Sequence, residues 1–147
     1  LQEDTFVNAG FTCKNLILTK VGTVYPNTYV IVCGHYGCGG VIAAMKNQQF
    51  GLIDNWLRHI KDVFHLHRKE LNSIEDENKK FDRLVELNVQ EQVLHLAKTS
   101  IIQRAWKHEQ SPLIHGWVYG LNDGIIKPVC ELNPDSEIED LYKYDDI

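Results

Sequence analysis

His35 and Cys38 lie three residues apart in the stretch Cys33-Gly34-His35-Tyr36-Gly37-Cys38-Gly39-Gly40, and their types and spacing suit them to hold a metal ion. Imidazole nitrogen and thiolate sulfur are donors that zinc prefers, and an H-x-x-C spacing across a glycine-rich turn lets both converge on one ion. Two donors are half of a tetrahedral set. Without a metal, the same stretch reads as a turn built on glycines, with Cys33 and Cys38 as small buried hydrophobes. The pattern alone leaves both readings open.

Such a turn needs a strand before it and a helix after it. Val30-Ile31-Val32 is a β-branched run, so Tyr29–Cys33 is predicted as a buried strand with the turn at its carboxyl end, where α/β proteins place their chemistry. Gly40 to Lys46 predicts a short helix whose amino end faces the metal, a setting that favours a thiolate at Cys38 or a bound anion. Leu52 to Phe64 carries apolar residues at helical spacing, and Phe81 to Lys98 repeats the stripe. The charged stretch from Glu70 to Lys80 between them reads as a solvated loop or helix entry. Ser100 with Gln103 fits a capping box that opens a helix through Trp106. Leu113–Tyr119 is a second strand candidate, and Asn122-Asp123-Gly124 turns the chain into Ile125–Val129, an edge hairpin on which Pro128 is tolerated. His59 reads as a surface or packing residue, His65 and His67 flank one leucine and on a helix point to different faces rather than to a second metal site, and His115 reads as a packing or hydrogen-bonding residue. The expected fold class is α/β: a short, mainly parallel sheet flanked by helices, with an antiparallel edge hairpin, in one domain over residues 1–147.

A chain of 147 residues that is 44% hydrophobic can fill one core. The net charge of −5 offers no footprint for nucleic acid, and no apolar run has the length of a transmembrane segment. The cysteines at 13, 33, 38 and 130 lack a disulfide-scaffold spacing and no secretory signal precedes them. An intracellular compartment, cytoplasm or mitochondrial matrix, is therefore expected. From Glu131 to Ile147 the chain has seven acidic residues and one lysine. This acidic tail is read as an arm lying on a neighbouring subunit through Leu132, Ile138, Leu141 and Tyr142, with a solvated tail as the alternative.

The glycine-rich turn and three later stretches resemble the β-class carbonic anhydrases in the same order. These are Gly51-Leu52-Ile53-Asp54-Asn55-Trp56-Leu57, Glu86-Leu87-Asn88-Val89-Gln90-Glu91-Gln92-Val93 and Ile114-His115-Gly116-Trp117-Val118-Tyr119-Gly120, so the likeness spans about residues 29 to 129. The resemblance implies a β-carbonic anhydrase-like fold with His35 and Cys38 as two ligands of a Zn2+ ion, whose bound water ionises near neutrality and attacks carbon dioxide to give bicarbonate. It also implies a homodimer, or a hetero-oligomer with a related subunit. Phe6 would then line the substrate pocket of the neighbour, with Gly39 and Gly40 also in the pocket. The family's first zinc ligand and its Asp-Arg pair lie in a Cys-x-Asp-x-Arg motif that belongs upstream of the segment matching Leu1 to Val7, and this chain does not contain it. Residues 1–28 diverge from the family pattern, with Asn8-Ala9-Gly10 two residues early, and Cys13 is the spare thiol that would have to substitute. Two functions follow from the resemblance. One is zinc-dependent reversible hydration of carbon dioxide, if the metal site is complete. The other is a catalytically degenerate paralogue serving as a structural or regulatory subunit of a larger assembly.

Overall fold

The computed structural model describes residues 15–18 and 29–147. Strand β1 (Asn15–Leu18), which the sequence did not signal, pairs antiparallel with β2 (Tyr29–His35). The chain then forms a helical layer and returns as β3 (Leu113–Tyr119), parallel to β2, and β4 (Ile126–Leu132), antiparallel to β3. The sheet order is β1-β2-β3-β4. The α/β class and the antiparallel edge hairpin agree with expectation, but the mainly parallel sheet becomes a mixed one, with a single parallel pair among the described strands. Pro128 stands opposite Trp117 on the edge strand, beside a bulge at Gly116/Trp117, where a missing N–H costs no ladder bond.

Strand β2 runs two residues past the predicted Tyr29–Cys33, so His35 ends the strand instead of opening the turn. Val30 and Val32 are buried at 1% and 3% exposure, while Ile31 and Cys33, pointing to the opposite face, are half-buried. The run predicted as a buried strand is therefore buried on one face. The reason is that α4 (Glu77–Ala97) packs across β2, β3 and β4, and the other helices gather around α4. Its approach is close. A Cβ at Gly116 would collide with Cys130 Sγ and lie 3.0 Å from Val89.

Helix α1 (Gly39–Ala44) follows the turn and is shorter than the predicted Gly40 to Lys46. Helix α2 (Asp54–Leu66) buries Leu57, Ile60 and Val63, an amphipathic stripe. Leu52 and Ile53 are instead in a 3-10 turn (Gly51–Ile53) and are 91% and 43% exposed. The charged stretch from Glu70 to Lys80 is in part a helix entry, as expected, with a short loop at residues 73–76, but it also carries an unexpected helix. It holds most of α3 (Arg68–Asn72), anchored by fully buried Leu71, and the start of α4, where the Asp76 carboxylate accepts from the N–H groups of Asn78 and Lys79. Helix α5 (Ser100–Glu109) is capped by the Thr99 hydroxyl, which accepts from Ile102 N–H, so the cap falls one residue before the expected Ser100 and no reciprocal box forms.

Gln103 instead meets the tail. Its amide donates to the carbonyls of Ala97 (3.3 Å) and Tyr142 (2.9 Å), and its oxygen accepts from Tyr144 N–H (3.3 Å). Lys98 Nζ lies 4.0 Å from the centre of the Tyr142 ring, and Ile138 packs against the core. Leu132 belongs to β4, and Leu141 remains 79% exposed. Of the contacts expected to a neighbour, Ile138 packs against the core and Tyr142 meets Gln103 and Lys98, all within the same chain.

Candidate metal centre

The two sequence-predicted donors sit at either end of the Tyr36–Gly37 turn, where β2 hands over to α1. Gly37 has φ +68°, a conformation side chains rarely adopt, which lets the chain reverse within two residues. Cys38 is 1% exposed and occupies the cap position of α1, with its carbonyl accepting from Ile42 N–H at 3.1 Å.

His35 is half-buried, and its ring is oriented by the backbone. Nδ1 lies 3.0 Å from the Tyr36 carbonyl oxygen, which can only accept, so Nδ1 carries a proton and, in the neutral ring, Nε2 keeps its lone pair. A hydrogen bond from one ring nitrogen to a backbone carbonyl is the usual way a ligating histidine is held. The donor set thus has the right chemistry for two of the four positions zinc takes. Among the described residues, no group of three or more His, Cys, Asp or Glu side chains is placed to hold a metal ion. Cys13 and Phe6 lie outside the described residues.

Gly39 and Gly40 open α1. Gly39 is exposed with open space where a side chain would be, whereas a Cβ at Gly40 would come within 2.6 Å of the Trp56 ring and 3.8 Å of Cys38 Sγ. The indole of Trp56 therefore closes over Gly40 beside the thiol, which explains the glycine there. Its own Nε1 is buried without a hydrogen-bond acceptor.

A polar cluster lies behind the turn. Tyr36 donates its hydroxyl to Glu86 Oε1 on α4 at 2.6 Å, and the same oxygen accepts from Lys127 Nζ of β4 at 2.7 Å. Arg83 Nη1 donates to Glu86 Oε2 at 2.9 Å, while its Nε donates to Glu70 Oε1 at 2.5 Å. Burial pushes the Glu86 carboxyl up, but hydrogen bonds from Lys127, Tyr36 and Arg83 outweigh it and hold the carboxyl below its ordinary value. Burial, followed by the Glu86 hydrogen bond, pushes the Tyr36 hydroxyl up. Burial likewise raises the thiols of Cys33 and Cys130, which suits packing residues better than reactive ones.

Sequence reading missed this cluster. Arg83 and Glu86 at helical i, i+3 spacing were a signal for one ion pair. Nothing local pointed to Tyr36 or Lys127, which reach Glu86 across 50 and 41 residues. His115 does behave as a hydrogen-bonding histidine, with Nδ1 3.1 Å from Glu131 Oε2 and its ring stacked on Tyr29.

A family model described as carbonic anhydrase matches residues 23–126. A carbonic anhydrase of Emericella nidulans is 48% identical over 99 residues, covering 67% of this chain and 43% of that protein. A β-carbonic anhydrase of Sordaria macrospora, described as tetrameric, superposes with a TM-score of 0.65 at 30% identity, covering 71% of this chain and 53% of its own. The β-carbonic anhydrase of Coccomyxa, solved with acetazolamide, gives a TM-score of 0.66 at 29% identity, covering 71% and 48%. The chain therefore spans about half the length of the proteins it matches, or somewhat less. Among the described residues, no helix is long and apolar enough to cross a membrane.

Proposed function

We propose, since the chain belongs to the β-carbonic anhydrase family, that it provides His35 Nε2 and Cys38 Sγ as two protein ligands of a zinc site for reversible hydration of carbon dioxide to bicarbonate. The observation that carries this reading is the Nδ1–H bond from His35 to the Tyr36 carbonyl, because it leaves Nε2 as the nitrogen available to a metal, with Cys38 across the same turn.

Bound zinc supplies Lewis-acid activation of water near neutral pH. The protein's own contribution is positional. The Tyr36 carbonyl fixes the His35 tautomer, the α1 cap position keeps Cys38 out of bulk water, and Trp56 over Gly40 excludes water from one side of the thiol. Gly39 and Gly40, with Phe6 of a neighbouring subunit, are the residues assigned to the pocket for carbon dioxide or bicarbonate. A tetrahedral site needs a third protein donor. Cys13 of this chain, or a residue of a second copy or related subunit in a homodimer or hetero-oligomer, fills that role. Thiolate ligands must remain reduced, which suits the cytoplasm or mitochondrial matrix. No observation specifically favours the alternative of a degenerate structural or regulatory subunit.

The test is the zinc content of the purified chain and of the variant with His35→Ala and Cys38→Ala together. The wild type is expected to hold zinc and the variant to lose it along with some thermal stability. An unchanged zinc content in the variant would refute the assignment.

A further inference from the structure

We propose that Glu86 is a positioning residue for this metal turn, acting through Tyr36 on the orientation of the His35 ring; the inference rests on the zinc reading above. Tyr36 stands between the two donors and is held at three points. Its N–H donates to the Tyr119 carbonyl at 3.0 Å, its hydroxyl donates to Glu86 at 2.6 Å, and its carbonyl accepts the His35 Nδ1–H at 3.0 Å. The first bond extends the β2–β3 pairing beyond the strand and fixes the start of the turn, and the second fixes the ring. Together they set the direction of the carbonyl, and hence the plane in which His35 Nε2 is presented.

Glu86 is itself held firmly. Its side chain is 13% exposed and accepts from three groups on three segments: Tyr36 of the turn, Arg83 of α4 and Lys127 of the edge hairpin. Arg83 in turn reaches back to Glu70 on α3. Two carboxylates, Glu86 and Glu70, are bonded to two cations, Arg83 and Lys127. The uncharged member, Tyr36, is the one bonded to a metal donor. A carboxylate rather than a neutral acceptor is what lets one side chain bind Tyr36, Arg83 and Lys127 together with short, charge-assisted bonds.

The experiment measures zinc affinity of the full chain by competition with a chelating dye, beside the unfolding midpoint of the metal-free protein. Groups that orient metal ligands from behind typically change affinity 10–100-fold when replaced, and Glu86 acts one bond further away. Glu86→Gln is expected to weaken zinc binding about 10-fold. Tyr36→Phe, which removes one hydroxyl from the same contact, should do likewise, and the two together should lose little more than either alone. Glu70→Gln disturbs the same cluster away from Tyr36, so it should lower the midpoint while leaving zinc affinity unchanged.

If Glu86→Gln and Tyr36→Phe lower only the midpoint while zinc affinity stays at the wild-type value, the positioning role is overturned and the cluster is structural. That outcome is distinct from failure of the metal reading, in which the double alanine variant at His35 and Cys38 binds zinc as the wild type does, and the positioning role falls with it. Should Glu86→Gln not fold, Tyr36→Phe alone decides between the outcomes.

Discussion

Glu86 and Glu91 leave α4 five residues apart with 13% and 12% of their side chains exposed, yet they meet partners of different kinds. Glu86 accepts from two permanent cations and a tyrosine, and ties the turn after β2 to the edge hairpin. Glu91 accepts from His67 Nε2 at 2.8 Å, and His67 is the residue at which α2 ends and α3 begins. A carboxylate with Arg and Lys partners is an anchor whose charge is matched at any pH where it is ionised. A carboxylate with an imidazole partner is an ion pair only while the ring is protonated. The helix thus carries two polar tethers of similar burial, one suited to holding a geometry constant and the other to joining two helices.

Both tethers depend on the apolar face of the helix that carries them. Leu87, between the two carboxylates in sequence, is 2% exposed, and Leu87→Ala is expected to cost about 2–5 kcal/mol in urea unfolding. A cost below about 1 kcal/mol would mean that α4 is not the common scaffold and the two sites are not comparable.

Removing the carboxylates one at a time sharpens the contrast. Glu86→Ala strands a tyrosine hydroxyl and Lys127 and leaves Arg83 with Glu70 alone, and should cost about 1–3 kcal/mol. Glu91→Ala strands one imidazole and should cost about 0.5–1.5 kcal/mol by the same measurement. Equal losses would break the distinction.

The pH dependence separates them further. Because Glu86 is held below its ordinary 4.5, its contribution is complete above that value and is lost as pH falls through the lower folded-state value. Tyr36 is raised above 10.0, so its contribution is complete below that value and is lost as pH rises through the folded-state value. Glu86→Gln should therefore flatten the acid limb of a stability profile, where Glu91→Gln leaves the Glu86 share intact. Identical acid limbs in wild type and Glu86→Gln would show that the cluster contributes nothing there.

The smallest effect is expected at Lys127. Its side chain is 59% exposed, so Lys127→Ala should cost no more than about 1 kcal/mol, and less in high salt. A larger, salt-independent loss would make Lys127 the cluster's main support in place of Arg83.

Local pattern was enough for those parts of the chain whose cause is local. The stripe of α2 is legible from Leu57 onward because a single helical face explains it, and the hairpin is legible because Asn122-Asp123-Gly124 encodes its own turn, with Asp123 Oδ1 accepting from Ile125 N–H and Gly124 at φ +72°. The turn between His35 and Cys38 is legible for the same reason, since its own glycines permit it. Short α3 was hidden, since a five-residue charged helix exists only because Leu71 docks in the core. Thr99 and Ser100 are adjacent and chemically alike, and the choice of Thr99 as cap left Gln103 free for the tail.

What the sequence by itself determined is thus the family, the α/β class and two candidate metal donors, all carried by residue types at fixed short spacing. The tertiary structure decided which face of β2 is buried, that the tail lies partly on its own α5, and which groups bond to the turn between His35 and Cys38. Tyr36, Glu86 and Lys127 meet only after strand, helix and hairpin have packed, and no local periodicity encodes a contact across 41 or 50 residues.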